Sequence, residues 1–232
     1  MRWLVLFDLD GTLVTTGGKA LAACLEAYAA VVGSPAPAEG FSAAGKTDPQ
    51  IFTELLQRSG VDEVAIPHLL PRILEAYRAL LPEKLLPEHV RSLPGAEDLL
   101  RILAARGEPA LGVLTGNVRE GAQRKLMLAG LAEHLPLGAY GCDHPDRNQL
   151  LPFAVRRAEA HYGTRFPYHR VVVVGDTVRD VRCAQVWGAK AIAVAGSTTK
   201  AAALAREKPW AVVPTLEPAL FLPVLEAATD GA

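Results

Sequence analysis

The sequence is poor in the features that would commit it early to a scaffold or a charged partner. Its three cysteines, Cys24, Cys142 and Cys183, are widely scattered, and no two form a C-x-x-C pair. That argues against a disulfide framework and for reduced thiols in a cytoplasmic protein. Lysine and arginine number 24 against 25 aspartates and glutamates, a formal net charge of -1. No general attraction to nucleic acid or to an anionic membrane is expected, so any positive charge used on a ligand must be local. The histidines (His68, His89, His134, His144, His161 and His169) lack the paired spacing of a zinc site. There is no internal repeat and no low-complexity tract. No stretch approaches the roughly 20 apolar residues of a membrane-crossing helix. The apolar run from Trp3 to Phe7 is too short for a signal peptide and runs straight into Asp8. A soluble protein is expected, a monomer or homodimer that binds neither nucleic acid nor membrane.

What is present is the composition of an ordinary globular chain, half hydrophobic and 21% charged. Continuous apolar runs recur at residues 3–7, Ala110–Leu114, Val171–Val174 and Ala191–Val194, with weaker ones at Leu137–Tyr140 and Ala211–Val213. Such runs fit strands buried on both faces. Helical patterns lie between them, at Ala96–Arg106, Val118–Ala129, Leu150–Tyr162, Val178–Trp187 and Thr199–Glu207. This alternation predicts an α/β fold with a doubly wound parallel, Rossmann-like sheet. Residues 16–89 break it. They carry only helical patterns (Lys19–Val32, Pro49–Ser59 and Val64–Leu81), and Leu81–Leu93, with prolines at 82 and 87, reads as a return linker. A helical insertion at 16–89 within a core of residues 1–15 and 90–232 is the economical division. Gly17-Gly18 offers a hinge where the two join.

Four clusters fall at or near the carboxyl ends of predicted strands, the edge where open α/β sheets bind ligands. Asp8-Leu9-Asp10-Gly11-Thr12 follows the first run and Thr115-Gly116-Asn117 the run ending at Leu114. Asp143 to Leu150 contains Arg147, and Gly175-Asp176-Thr177-Val178-Arg179-Asp180 opens a helix. Paired carboxylates repel unless a cation or a proton intervenes. A hydroxyl and free amides before a helix suit an anion. Singly, each has a plainer reading, Asp180 and Thr115 as helix caps and Asp10-Gly11 as a turn. Together, four acids at one sheet edge favour a hard cation such as Mg²⁺ with a phosphate.

Asp8-Leu9-Asp10-Gly11-Thr12-Leu13, then Leu114-Thr115-Gly116-Asn117, then Gly175-Asp176-Thr177 with Asp180, resembles the phosphatase branch of the haloacid dehalogenase superfamily. The resemblance spans residues 1 to about 213 and places the insertion where that family carries a helical cap. It implies a Mg²⁺-dependent phosphoric monoester hydrolase in which Asp8 is the nucleophile and Asp10 the general acid and base. Asp8, the carbonyl of Asp10 and Asp176 would hold the metal, with Asp180 in support. Thr115 and the amides of Gly116 and Asn117 would bind the phosphoryl group. The family's third motif is usually a lysine. Here the candidate is Arg147, with Lys125 as the alternative and a solvated loop charge as Arg147's plainer reading.

Asp10 favours phosphate esters, since the dehalogenating and phosphonate-cleaving members lack a second aspartate at that position. A phosphosugar mutase of the same fold keeps both, and a non-catalytic binding protein is a third possibility. In Ala44-Gly45-Lys46-Thr47-Asp48-Pro49, Lys46 either reaches a substrate carboxylate or hydroxyl, or is merely exposed beside a helix cap at Thr47 or Asp48. The segment is similar to the cap loop of phosphoglycolate phosphatase-like members, which implies a small phosphorylated acid or sugar as substrate.

Overall fold

The computed structural model describes residues 2–229. The chain opens with β1 (Leu4–Phe7) and the two-residue β2 (Val14–Thr15), then runs through α1 (Lys19–Val32), α2 (Asp48–Arg58) and α3 (Ile66–Lys84). After β3 (Arg91–Ser92), helices and strands alternate. They are α4 (Ala96–Arg106), β4 (Ala110–Leu114), α5 (Arg119–Leu128), β5 (Gly138–Ala139), α6 (Leu150–Tyr162) and β6 (Val171–Gly175). α7 (Val178–Val186), β7 (Lys190–Val194), α8 (Thr198–Ala205), β8 (Ala211–Val213) and α9 (Pro218–Thr229) complete the described chain.

Six strands form one sheet in the order β5-β4-β1-β6-β7-β8, and every pairing in it is parallel. β1 lies inside, with Phe7 in register with Val113 of β4 and Val174 of β6. Alternate side chains feed two apolar layers. Val5, Phe7, Val113 and Val174 face Leu99, Leu103, Phe221 and Leu225 of α4 and α9. Leu4, Leu6, Val171 and Val173 face Leu150, Leu151, Val181 and Leu204 of α6, α7 and α8. Helices on both faces explain why these strands read as unbroken apolar runs. Each such residue fully buried contributes about 1.5–3 kcal/mol of transfer free energy, so the sheet centre is the most expensive place to disturb.

The chain leaves the sheet edge at β2 and returns at β3, and the two pair antiparallel, Val14 with Ser92 and Thr15 with Arg91. Between them α1 and α2 both pack on α3, with Phe52 and Tyr77 edge to face at 5.6 Å. The apolar layer on the α4 side continues into these helices through Tyr28, Leu55 and Tyr77. Gly17 and Gly18, at the exit from β2, both have positive φ. Among the described residues no helix is long and apolar enough to cross a membrane.

Candidate active site

The strand order reverses direction about β1, since the chain goes out to β4 and β5 on one side and to β6, β7 and β8 on the other. A crevice opens at such a switch point, beyond the carboxyl ends of the strands. The three strands flanking it are followed directly by Asp8, Thr115 and Asp176. Asp8 is 4% exposed, and its amide donates to Val174 O at 2.8 Å, which extends the β1–β6 ladder by one residue. A tight turn follows, with the Gly11 amide donating to Val14 O at 2.9 Å. Glycine is required at 11 twice over. Its φ is +84°, and a Cβ there would lie 2.4 Å from Asp176 Oδ2.

Arg147 is the centre of the ionic arrangement. It is buried, and its Nη2 donates to Asp8 Oδ1 at 2.8 Å, to Asp180 Oδ1 at 2.5 Å and to Leu114 O at 3.2 Å. Its Nη1 reaches Gly45 O at 3.4 Å. Burial works against its charge, but the Asp180 and Asp8 carboxylates outweigh burial and raise its pKa further. The guanidinium is thus no solvated loop charge. Asp180 is held on its other side too, since Oδ2 accepts from the Thr177 amide at 2.9 Å and the Thr177 hydroxyl at 2.7 Å, closing a capping box on α7.

Asp8, Asp176 and Asp180 offer carboxylate oxygens that all lie within 4.8 Å of one another. Burial lifts the Asp8 carboxyl to about 7, opposed by Arg147 and reinforced by Asp180 and Asp176. Asp176 is raised as well, first by burial, with Lys200 opposing. Lys200 pairs with Asp176 Oδ2, while Asp176 Oδ1 is buried with no hydrogen-bond partner. Converging carboxylates and an orphaned carboxylate oxygen fit a divalent cation. The side chain of Asp10 is not part of that cluster. It turns instead to Lys125, whose Nζ donates to Asp10 Oδ2 and to Asn117 Oδ1, each at 2.5 Å.

Thr115 is buried, and its Oγ1 accepts from the Asn117 amide at 3.3 Å. Gly116 lies under the loop before α2, where a Cβ would sit 2.1 Å from Lys46 O. That loop is bonded to the core by the Asp48 amide to Gly116 O at 2.7 Å, by Asp48 Oδ2 to the Val118 amide at 2.6 Å, and by Thr47 Oγ1 to Pro145 O at 2.5 Å. Thr47 also caps α2, accepting from the Gln50 amide at 3.2 Å. Lys46 is not simply exposed. Its side chain is 11% accessible, pairs with Glu54 and lies over the Phe41 ring at 4.4 Å.

A cavity of about 220 Å³ joins these parts, bounded by Asp8, Asp10, Thr115, Arg147 and Asp176 from the sheet edge. Its far wall is Leu21, Cys24, Ala43, Lys46, Ile51 and Tyr77 from the helical segment. The expected residues Asp8, Asp10, Thr115, Gly116, Asn117, Arg147, Asp176 and Lys46 therefore all line one cavity, Lys46 from its far wall, while Asp180 stands behind Arg147. Sequence reasoning missed Asp48, Lys200 and the apolar far wall. Lys125 it placed only as an alternative phosphate cation. Its place about two turns into the helix that follows Asn117 was the available signal.

A doubly wound sheet with carboxylates at its switch point and an arginine on one of them defines an enzyme site for an anionic substrate. Residues 4–188 match the haloacid dehalogenase-like hydrolase family. The probable phosphatase IndB of Dickeya dadantii is 30% identical over 222 residues, covering 93% of this chain and 90% of that one. The phosphoglycolate phosphatase of Synechococcus elongatus is 26% identical over 195 residues, 82% of each chain. In fold, the β-phosphoglucomutase of Clostridium difficile superposes with a TM-score of 0.73 at 15% identity, over 99% of this chain and 98% of that one. The chain belongs to the haloacid dehalogenase-like hydrolases and is an enzyme of their phosphatase branch.

Proposed function

We propose that the protein is a Mg²⁺-dependent phosphatase that hydrolyses a small phosphorylated metabolite through an aspartyl-phosphate on Asp8. Residues 16–89 act as a helical cap over the catalytic core of residues 1–15 and 90–232. The observation that carries this reading is the convergence of Asp8, Thr115 and Asp176 at the switch point, with Arg147 fixed on Asp8. Asp8, Asp176 and the carbonyl of Asp10 would hold the ion, with Asp180 behind them. When bound, Mg²⁺ screens the repulsion between an anionic nucleophile and an anionic phosphoryl group.

The chain's own residues divide the remaining work. Arg147 engages Asp8 Oδ1, which orients the carboxylate and assigns its second oxygen to the attack on phosphorus. Thr115 and the Gly116 amide bind the phosphoryl oxygens. Asp10, at the cavity wall, gives a proton to the departing ester oxygen and later takes one from the hydrolytic water.

The relatives' names suggest a phosphoglycolate-like or sugar-phosphate-like substrate. Lys46 favours the second. Its ammonium is already paired with Glu54, so a substrate carboxylate would compete for it. A neutral hydroxyl can accept from Lys46 without displacing Glu54. The test is phosphate release across a panel of phosphorylated metabolites, phosphoglycolate and sugar monophosphates included, with Mg²⁺ and then with EDTA. Release that EDTA suppresses is expected, along with no release by Asp8→Asn at unchanged circular dichroism. Isomerisation that needs a bisphosphate primer and yields no net phosphate would replace this reading with a mutase. Binding without turnover would replace it with a binding protein.

A further inference from the structure

Lys125 lies on α5, outside the four sheet-edge clusters, and is 1% exposed. Removing an ammonium from water costs several kcal/mol, and packing alone would be better served by leucine or methionine. Its two partners are both groups of the site. Nζ donates to Asp10 Oδ2 and to Asn117 Oδ1, each at 2.5 Å. Asp10 follows β1 and Asn117 follows β4, so this one ammonium ties the acid/base carboxyl to the turn that carries Thr115. Arg147 makes the corresponding tie on the other side, between Asp8 and Asp180. The two buried cations thus serve different carboxylates. Arg147 is placed toward the nucleophile, Lys125 toward the leaving group.

We propose that Lys125 is the positioning residue for proton transfer by Asp10, and that it is not a phosphate-binding cation. The inference rests on the reading of Asp10 as general acid and base. The Asp10 carboxyl is partly open to the cavity, with 40% of its side chain accessible, and unrestrained it has several rotamers to occupy. With Oδ2 held by a buried ammonium, Oδ1 is left for the substrate, at a fixed separation from the phosphate-binding turn. As Asp8 bonds to phosphorus, the bond from phosphorus to the ester oxygen breaks. Its electron pair stays on that oxygen, which takes the proton from Asp10 Oδ1. The resulting Asp10 carboxylate remains beside the Lys125 ammonium. In the second half a water adds its oxygen to phosphorus and returns a proton to Asp10, releasing Asp8 and inorganic phosphate. Correct placement of such a group contributes about 10²–10⁴ in rate, and an ångström of misplacement loses much of it.

Leaving-group dependence separates this role from a structural one. The value of kcat/KM reports on steps up to the first bond cleavage. An alkyl phosphate needs a proton on its departing oxygen, whereas p-nitrophenyl phosphate leaves without one. In the Mg²⁺-loaded enzyme, Lys125→Met should lower kcat/KM about 10²-fold on an alkyl phosphate and less than about 5-fold on p-nitrophenyl phosphate. Ethylammonium added to Lys125→Ala should restore part of the alkyl-phosphate activity. Should Lys125→Met not fold, Asn117→Ala carries the same comparison. It frees the ammonium from its second anchor without unpairing a charge, and should show the same selectivity at smaller size. Equal losses on both esters by a folded variant overturn the proposal. If the wild type releases phosphate from neither ester, it is the proposed function that fails.

Discussion

Asp48 is a carboxyl whose surroundings set its charge and whose charge state reaches the stability of the whole chain. Its Oδ2 accepts from the Val118 amide at 2.6 Å, so a residue of the helical segment satisfies an orphan donor at the start of α5. Burial raises it from an ordinary 3.8 to about 6, with Lys125 and that amide opposing and Asp10 adding to the rise. A raised carboxyl binds its proton more tightly in the folded state than in the unfolded one. Its contribution is therefore best below pH 4 and is lost as pH rises from about 4 to about 6, then stays flat. The loss is about 3 kcal/mol for a shift of this size. Asp48→Asn keeps an acceptor for Val118 and removes the charge. Urea unfolding at pH 4 and pH 8 should show the variant gaining about 3 kcal/mol on the wild type between the two. An unchanged difference would mean that Asp48 is not buried as a costly charge. Nothing in the sequence around Asp48 announces this, because its partner lies 70 residues away. Asp8, Thr115 and Asp176 were legible because each sits directly after a recognisable apolar strand.

At the scale of elements, the loop of residues 45–48 is held to the core by close backbone approach as much as by side chains. The carbonyl of Lys46 lies where a Cβ on residue 116 would be, 2.1 Å away, and the next amide in the loop but one, that of Asp48, bonds Gly116 O. Gly116→Ala cannot be absorbed by a flexible side chain, because the atom met is backbone. The loop must lift, which costs about 1–3 kcal/mol as overpacking and moves Lys46 off the cavity wall. Activity on the preferred ester should fall at least about 10-fold, carried mainly by KM, since in the proposed function the loop contacts substrate and does not transfer protons. A variant with wild-type KM would show that the loop is not part of the substrate site. The same scale holds what sequence reasoning could not reach. The β2–β3 pair is two residues on each strand, too short for any alternation to register. α3 runs on to Lys84 through Pro82, where prolines read as a linker. Arg124 of α5 accounts for part of that end, donating to Pro82 O and Leu85 O, each at 2.8 Å. α9 begins with Pro218 and contains Pro223, and its helical character comes from packing on the sheet through Phe221 and Leu225. The six sheet strands, by contrast, were legible as apolar runs because helices cover both faces.

Across the whole molecule, the carboxyl ends of two neighbouring strands and the first turn of α7 place three buried acids against one another. Among these, Arg147 serves Asp8 and Asp180, and Lys200 serves one oxygen of Asp176. The remaining Asp176 oxygen is buried without a partner, and burial and mutual repulsion raise both Asp8 and Asp176. The folded state thus carries an electrostatic cost that the unfolded chain does not. A divalent cation that binds only the folded arrangement relieves that cost and stabilises by mass action, about 2.7 kcal/mol at a hundredfold excess over Kd. For a chain of this length each kcal/mol moves Tm by about 2–4 °C, so saturating Mg²⁺ should raise it by roughly 5–10 °C. The shift is read in a thermal melt and needs no turnover. Asp176→Asn should abolish most of it, because that residue supplies the unpartnered oxygen. It should also melt at or above the metal-free wild type, because it removes one of three repelling charges. A wild-type Tm that ignores millimolar Mg²⁺ would leave the three acids as a structural cluster held by Arg147 and Lys200 alone. The metal dependence of the proposed phosphate release would then lack a site among the described residues.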